Sequence, residues 1–207
     1  MALQERARNE PAGKRPNLRG EKRREAILQA LHDCVISNGY PKTTLADVAR
    51  AAGMSPSHLL YYFSGVDAIL ATYFGNVARR IIDRLEGFRR ETPERRIQLL
   101  VDLFFAGKGI TRSEIGFMLE CFGVAVHDPQ LHAEKAALDQ YCKTYLQQLF
   151  EESPHGASRA RDSAEIAYAL LVGLRTAEYF DERLGHDDAR RIFRSGMLEL
   201  AGIEPGG

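Results

Sequence analysis

Three side chains near the middle of the chain, His127, Asp128 and His132, are of types that bind metal ions. The two histidines are five residues apart, whereas side chains share a helix face at spacings of three and four. Asp128 directly precedes Pro129, a pair that is typical of a cap followed by the first residue of a helix. We therefore predict no metal site at these residues.

The sequence also lacks the residue patterns of known catalytic centres. It contains no Ser-His-Asp arrangement, nucleophile elbow, phosphate-binding loop or dinucleotide fingerprint. Paired carboxylates such as Glu151 and Glu152 fall at the end of a predicted helix, where solvent surrounds them. We predict neither catalysis nor a bound cofactor.

A group of hydroxyl and aromatic residues near position 60 is better suited to binding another molecule. Leu59 and Phe63 are four residues apart, so both can anchor one face of a short helix to a core. The neighbouring residues that then face outward are Ser57, His58, Tyr61 and Tyr62. Exposed hydroxyl groups and aromatic rings suit contacts with phosphates and thymine methyls, so this pattern favours binding to DNA.

The elements that must position these residues are two short helices. Thr44 is a good N-cap for the first, and Gly53 can adopt the left-handed backbone that ends it. Ser55 then caps the second, with Pro56 at the first helical position. Two short helices joined by a tight turn over residues 44–63 are typical of a helix-turn-helix, whose second helix enters the major groove.

Apolar residues recur at helical spacing through the rest of the chain, and prolines, glycines and capping residues separate the segments. A first helix starts near residue 21, and later helices are predicted over 66–90, from 93, and over 113–126, 129–152, 163–184 and 187–201. There is no convincing strand and no internal repeat. The pattern predicts an all-α fold of about nine helices. In this fold an N-terminal three-helix helix-turn-helix domain precedes a larger C-terminal helical domain.

Charge is distributed unevenly along the chain although the net charge is zero. Residues 1–63 contain ten Lys or Arg and six Asp or Glu, a net charge of +4, and the remainder carries −4. A basic N-terminal region suits a phosphate-bearing partner. We predict a disordered basic arm over 1–20, a DNA-binding domain over 21–65, and a helical domain over 66–207.

The three cysteines, Cys34, Cys121 and Cys142, form no C-x-x-C pair. Cys34 lies within an apolar helical stripe, which favours a reduced, buried thiol. No segment is apolar and long enough to serve as a signal peptide or to span a membrane. We expect a cytoplasmic protein with no membrane partner.

Residues 23–70 also contain a series of short motifs in a definite order. The series is Ile27-Leu28-Gln29-Ala30, Asn38-Gly39-Tyr40, Thr43-Thr44-Leu45-Ala46-Asp47-Val48-Ala49, Ala52-Gly53-Met54-Ser55 and Tyr61-Tyr62-Phe63. As a set, in this order and spacing, it resembles the N-terminal signature of the tetracycline-repressor (TetR) family of regulators. The resemblance implies an N-terminal helix-turn-helix that binds DNA through Thr44, His58, Tyr61 and Tyr62.

Two positions depart from the family pattern. Many members have a tyrosine where this chain has Leu60, and a phosphate-binding lysine where it has Val66. We expect basic residues to compensate for the missing phosphate-binding lysine. They lie in the first helix, where Arg24 is one of them, and in the turn before the second helix. The predicted DNA-binding residues are Lys22, Arg23, Lys42, Thr44, Ser55, Ser57, His58, Tyr61 and Tyr62.

The C-terminal part resembles the family less specifically. Residues 126–131 are similar to the junction of the sixth and seventh helices, and residues 170–175 to the eighth helix, which with the ninth forms a four-helix dimer interface in many members. The predicted interface residues are Leu170, Leu174, Ala177, Phe193 and Met197. A helix buried in the core of one chain would show the same apolar pattern.

The resemblance further implies that residues 66–207 form a ligand-sensing and dimerisation domain, with a ligand cavity among helices four to eight. The candidate lining residues are Phe104, Phe105, Phe117, Met118, Glu120, Cys121, Phe122, Tyr141 and Tyr145. Grouped aromatic and Met side chains are compatible with an apolar pocket, and equally with the core of a helical bundle. Glu120 would orient a polar or cationic group in such a pocket, or lie on the exposed face.

Together these observations predict a homodimeric repressor that binds double-stranded DNA at a roughly palindromic operator. A small, largely apolar effector in the C-terminal domain would release it. One alternative is an enzyme with a helical pocket and a vestigial helix-turn-helix, for which no convergent polar groups are found. Another is a module whose N-terminal helices bind protein, against which the basic N-terminal charge argues.

Overall fold

The computed structural model of the protein describes residues 18–106, 111–156, 158–181 and 183–204. Within these ranges the chain forms nine α-helices and a short 3-10 helix, Tyr40–Lys42, and no strand, which confirms the predicted all-α fold. The helices are α1 Leu18–Asn38, α2 Leu45–Ala51, α3 Pro56–Leu60, α4 Val66–Phe88, α5 Pro93–Phe105, α6 Arg112–Ala125, α7 Pro129–Glu151, α8 Ala160–Phe180 and α9 His186–Ala201. In the part of the chain described here, no helix has the length and apolar character needed to cross a membrane.

Five of these helices begin at a side chain that caps the first turn. In each, the capping oxygen accepts a hydrogen bond from the backbone N–H three residues later, which satisfies a donor that the helix leaves unpaired. The capping residues are Thr44, Ser55, Thr92, Thr111 and Asp128. All except Thr111 follow from the sequence, because capping depends only on residues within one turn.

Several helix boundaries differ from the prediction by one to four residues, most of all at the start of α1 and at both ends of α8. α1 begins at Leu18, so residues 18–20 are helical rather than part of an arm, and residues 1–17 lie outside the described residues. α8 ends at Phe180, four residues before the predicted end. The Asp181 side chain accepts a hydrogen bond from the Arg183 N–H at 2.9 Å, and this local turn replaces the next helical turn.

One buried core runs through the molecule. Ile27, Leu31, Val48 and Leu59 are buried where α1, α2 and α3 meet. α4 packs on α1 and on α7, and α8 packs along both α7 and α9. α6 contacts α1, α7 and α8, so it lies between the N-terminal helices and the C-terminal bundle. The proposed domain boundary after residue 65 falls between α3 and α4.

Candidate nucleic-acid interface and ligand cavity

α3 is fixed to the protein by one face only. Leu59 is fully buried and Phe63 nearly so, as their spacing predicts, whereas Tyr61 is 83% exposed. The Ser55 hydroxyl accepts a hydrogen bond from the His58 N–H at 3.2 Å, and Pro56 occupies the first helical position. The opposite face of α3 is therefore open to a partner.

The outward residues of α3 and the turn after it form a connected aromatic surface. The His58 and Tyr62 rings have centroids 5.5 Å apart, and the Tyr61 ring meets Tyr62 edge-on at 5.2 Å. Ser57 is exposed beside them. The structure thus brings these four predicted residues together on one surface.

A recess of about 230 Å³ separates this surface from the start of α1. It is lined by Arg19, Gly20 and Arg23 on one side and by His58 and Tyr62 on the other. A basic recess beside an exposed aromatic surface has the charge and shape to contact a phosphate backbone. Arg19 was missed from sequence because it was assigned to the arm. The only sign of a DNA-binding role for Arg19 in the sequence was that other arginines lie near it.

The other predicted basic residues lie apart from this recess. Lys22 on α1 and Lys42 at the end of the 3-10 helix are exposed but do not line it. Arg24 stabilises the fold. Its guanidinium donates a hydrogen bond to the Tyr62 carbonyl oxygen at 2.8 Å and lies 4.2 Å from the centroid of the Phe63 ring. Arg24 is therefore a positioning residue for the end of α3.

Thr44 is exposed at the start of α2, where its hydroxyl is engaged in a capping box. It accepts from the Asp47 N–H at 3.2 Å and donates to the Asp47 carboxylate at 2.5 Å. The hydrogen bond from the Thr44 hydroxyl holds the pKa of Asp47 below its usual range. Val66, the first residue of α4, is half-buried and packs on the core.

A second, mainly apolar cavity of about 110 Å³ lies in the C-terminal bundle. Its walls come from α4, α5, α6, α7 and α8, within the region that the resemblance implied. Three predicted residues line it, Phe104, Met118 and Phe122. The lining residues that sequence reasoning missed are Val77, Ile81, Ile115, Leu119, Leu138, Asp139, Cys142, Tyr168, Leu171, Val172, Arg175 and Thr176.

The polar groups of the cavity are concentrated on α7 and α8. Asp139 accepts a hydrogen bond from the Tyr168 hydroxyl at 2.5 Å. Burial, and after it this hydrogen bond, raises the pKa of Tyr168 above its usual range. Arg175 forms an ion pair with Glu178 at 2.6 Å. In the sequence, Asp139 is distinguished only as a carboxylate that lies one helical turn before Cys142.

Five other predicted cavity residues lie elsewhere, because each belongs to a helix face that packs in a different direction. Phe105 packs on Phe193 of α9, with ring centroids 4.9 Å apart, and Phe117 stacks on His32 at 5.4 Å. The remaining three do not line the cavity either: Cys121 is buried, Tyr145 is buried against Arg96, and Tyr141 lines a separate groove between α4 and α7.

Glu120 is also outside the cavity. Its carboxylate accepts a hydrogen bond from the Tyr40 N–H at 3.0 Å, which ties α6 to the turn that follows α1. Close by, the His32 imidazole lies 3.1 Å from the Ser113 hydroxyl. α6 therefore contacts the N-terminal helices through one face and lines the cavity through the other.

The predicted interface residues divide into two groups. Leu170, Leu174 and Ala177 of α8 are half-buried in the single chain, so part of each remains available to a partner. Phe193 and Met197 are fully buried in the single chain. They cannot form a dimer surface, because α9 turns that face inward against α5.

Two of the residues considered as metal ligands, Asp128 and His132, make other contacts. Asp128 accepts from the Leu131 N–H at 2.7 Å, and the His132 ring lies 3.2 Å from the Ala125 carbonyl oxygen. Within the described ranges, no three His, Cys, Asp or Glu side chains come together to hold a metal. The three cysteines are free thiols, and Cys34 is only half-buried. Burial raises the pKa of Cys121 and of Cys142 to about 12, so both thiols stay neutral.

Two family models match the chain. Residues 27–73 match bacterial regulatory proteins of the tetR family, and residues 93–201 match the C-terminal domain of BetI-type transcriptional repressors. These matches confirm the resemblance inferred from the helix-turn-helix motifs.

Curated relatives are similar over most of their length. The HTH-type transcriptional regulator BetI of Brucella anthropi is 27% identical over 181 residues, which cover 86% of this chain and 90% of the relative. BetI of Stenotrophomonas maltophilia is 25% identical over 156 residues, covering 73% and 79%.

Solved structures share the fold at lower identity. A transcriptional regulator from Rhodococcus sp. Rha1 has a TM-score of 0.75 and 18% identity, covering 88% of this chain and 99% of that chain. A protein from Saccharomonospora viridis, solved in complex with choline, has a TM-score of 0.76 and 19% identity, covering 86% and 96%.

The family models and the relatives describe transcriptional regulators, and none describes an enzyme. The chain therefore belongs to the tetR family of bacterial regulatory proteins, with a C-terminal domain of the BetI type, and is a DNA-binding transcriptional regulator.

Proposed function

We propose that the protein is a homodimeric repressor that binds a roughly palindromic operator and leaves it when a small, largely apolar effector binds. The position of α6 carries this proposal. One face of α6 is bonded to the turn after α1, and its opposite face supplies Ile115, Met118, Leu119 and Phe122 to the cavity. A ligand that moves α6 would therefore also move the helices that present α3.

Dimerisation is supported by apolar surface on α8. Ile166 is 54% exposed and Phe180 is 69% exposed, and Leu170 and Leu174 lie between them. A Cβ atom added to Gly173 would meet nothing within 4 Å, so a partner helix can approach closely there. A two-fold dimer through this surface presents two copies of α3 and so predicts two half-sites.

The size of the cavity limits the effector. At about 110 Å³ it is smaller than the roughly 300–1,000 Å³ of typical drug-sized sites. Most of its lining is apolar, which favours an effector with few polar groups. The structural neighbour from Saccharomonospora viridis binds choline, a small molecule rich in methyl groups, and this supports a small effector.

Release would follow from a difference in effector affinity between two arrangements of the dimer. An effector shifts the equilibrium only as far as it binds one arrangement more tightly than the other. The arrangement with the filled cavity would hold its two α3 helices at a spacing that no longer matches the half-sites.

Operator binding tests the DNA-reading part of the proposal. Tyr61→Ala should weaken binding to the DNA upstream of the protein's own gene by roughly tenfold, since one lost base contact is worth about 1–3 kcal/mol. A gel shift measures the affinity, with a scrambled duplex as competitor. Val126→Ala is the control, because Val126 is 71% exposed and apolar but lies at the end of α6.

Equal affinity of wild type and Tyr61→Ala for the operator would remove Tyr61 from the interface. Equal affinity of the wild type for operator and scrambled duplex would contradict sequence-specific regulation by this surface.

A further inference from the structure

The cavity has one polar corner, built around Asp139. Both of its carboxylate oxygens are engaged, one by the Tyr168 hydroxyl at 2.5 Å and the other by the Lys135 ammonium at 2.5 Å. Asp139 and Tyr168 line the cavity, whereas Lys135 lies outside the lining, one turn earlier on α7. The lysine therefore reaches the corner from the rim.

The same ammonium also lies on an aromatic ring. The Lys135 nitrogen is 4.5 Å from the centroid of Phe122, which lines the cavity from α6. An aromatic face together with a carboxylate is the combination that binds organic cations. In this chain the two groups are already occupied by a cation of the protein itself.

We propose that Lys135 is a specificity-determining residue. Its ammonium fills the cation subsite formed by Asp139 and Phe122, so that the cavity accepts neutral apolar effectors and rejects free organic cations. This inference rests on the proposed function only in taking this cavity as the effector site.

The charges around the corner support this assignment. Lys135 already neutralises Asp139 from outside the lining, and Arg175, a cation that lines the cavity, is paired with Glu178. An entering cation would find no uncompensated negative charge, and it would lose its hydration without a partner. A neutral molecule of the same shape loses much less on entry.

Isothermal titration calorimetry of the full chain with two probes of equal shape tests the proposal. The probes are choline and its neutral analogue in which a carbon atom replaces the ammonium nitrogen. The wild type should bind the neutral analogue more tightly, and Lys135→Met should reverse the preference with a gain of roughly tenfold for choline, the scale of a partly desolvated cation–π contact.

Two further variants separate this effect from a general loss of charge or of packing. Lys135→Arg keeps a cation at the corner and should retain the preference of the wild type. Arg161→Met removes an exposed cation that lies in the first turn of α8 and does not line the cavity. It should also behave as wild type.

Three results would overturn the inference. They are tighter binding of choline by the wild type, the same choline gain in Arg161→Met as in Lys135→Met, and no binding of either probe to any of the proteins. Operator binding and its release by another compound are measured separately, so these results leave the proposed function to its own test.

Discussion

At the scale of single residues, the adjacent arginines of α1 have different tasks. Arg23 lines the recess between α1 and α3, where a phosphate can approach. Arg24 is bonded to the Tyr62 carbonyl oxygen and covers the Phe63 ring. Two residues of the same type, one position apart, are thus expected to affect different measurements.

We predict that Arg23→Ala weakens binding to all DNA sequences and lowers the slope of log affinity against log salt concentration by about 1, since one phosphate contact is lost. Its unfolding in urea should match the wild type. Salt titrations of DNA binding and urea denaturation provide the two measurements.

Arg24→Ala should show the opposite pattern. Losing the hydrogen bond and the ring contact should cost about 1 kcal/mol of unfolding free energy. Its salt slope should stay at the wild-type value. If Arg24→Ala instead lowers the salt slope and leaves stability unchanged, Arg24 contacts DNA directly.

At the scale of helices, the exposed face of α8 makes a distinct prediction. Gly173→Arg places a large charged side chain in the middle of the proposed dimer surface, where the single chain leaves open space. The variant should be a folded monomer, because burying an unpaired charge in an interface costs several kcal/mol. Light scattering after size-exclusion chromatography measures the mass.

Gly87→Arg is the matched control. Gly87 is also helical, on α4, and a Cβ atom added there likewise meets nothing within 4 Å. This variant should have the same mass as the wild type. A dimeric Gly173→Arg would place the interface elsewhere on the molecule.

Most helix starts that carry a capping side chain could be read from the sequence, whereas the direction of each helix face could not. Ser55 caps the N–H of a residue only three positions away, so the information is local. Phe193 was placed on the dimer surface because an apolar stripe does not specify its partner. In the fold, that partner is Phe105 on α5 of the same chain.

At the scale of the whole molecule, α6 joins the N-terminal helices to the C-terminal bundle. The bond from the Tyr40 N–H to Glu120 links residues 80 positions apart. Sequence reasoning placed Glu120 in the cavity because its neighbours are apolar. No local pattern could reveal a contact that depends on how α6 docks against the turn after α1.

Glu120→Ala should loosen this junction while leaving α8 and α9 unchanged. A hydrogen bond to a charged group is worth about 1.5–3 kcal/mol, so amide exchange at Tyr40 should accelerate by roughly tenfold or more. Hydrogen exchange followed by mass spectrometry or NMR measures the rates. Glu120→Gln retains an oxygen acceptor and should exchange more slowly than Glu120→Ala.

Unchanged exchange at Tyr40 in both variants would mean that the Glu120 contact does not hold the junction together. The contacts of His32 with Phe117 and with the Ser113 hydroxyl would then link α6 to α1.

The placement of α6 between the cavity and the helix α3 also affects the effector concentration that is needed for release. Coupling between two binding sites is reciprocal, so an effector that lowers operator affinity by some factor binds the operator-held dimer less tightly by that same factor. The dissociation constant of the effector measured on the free protein is therefore lower than the effector concentration needed to release the dimer from an occupied operator.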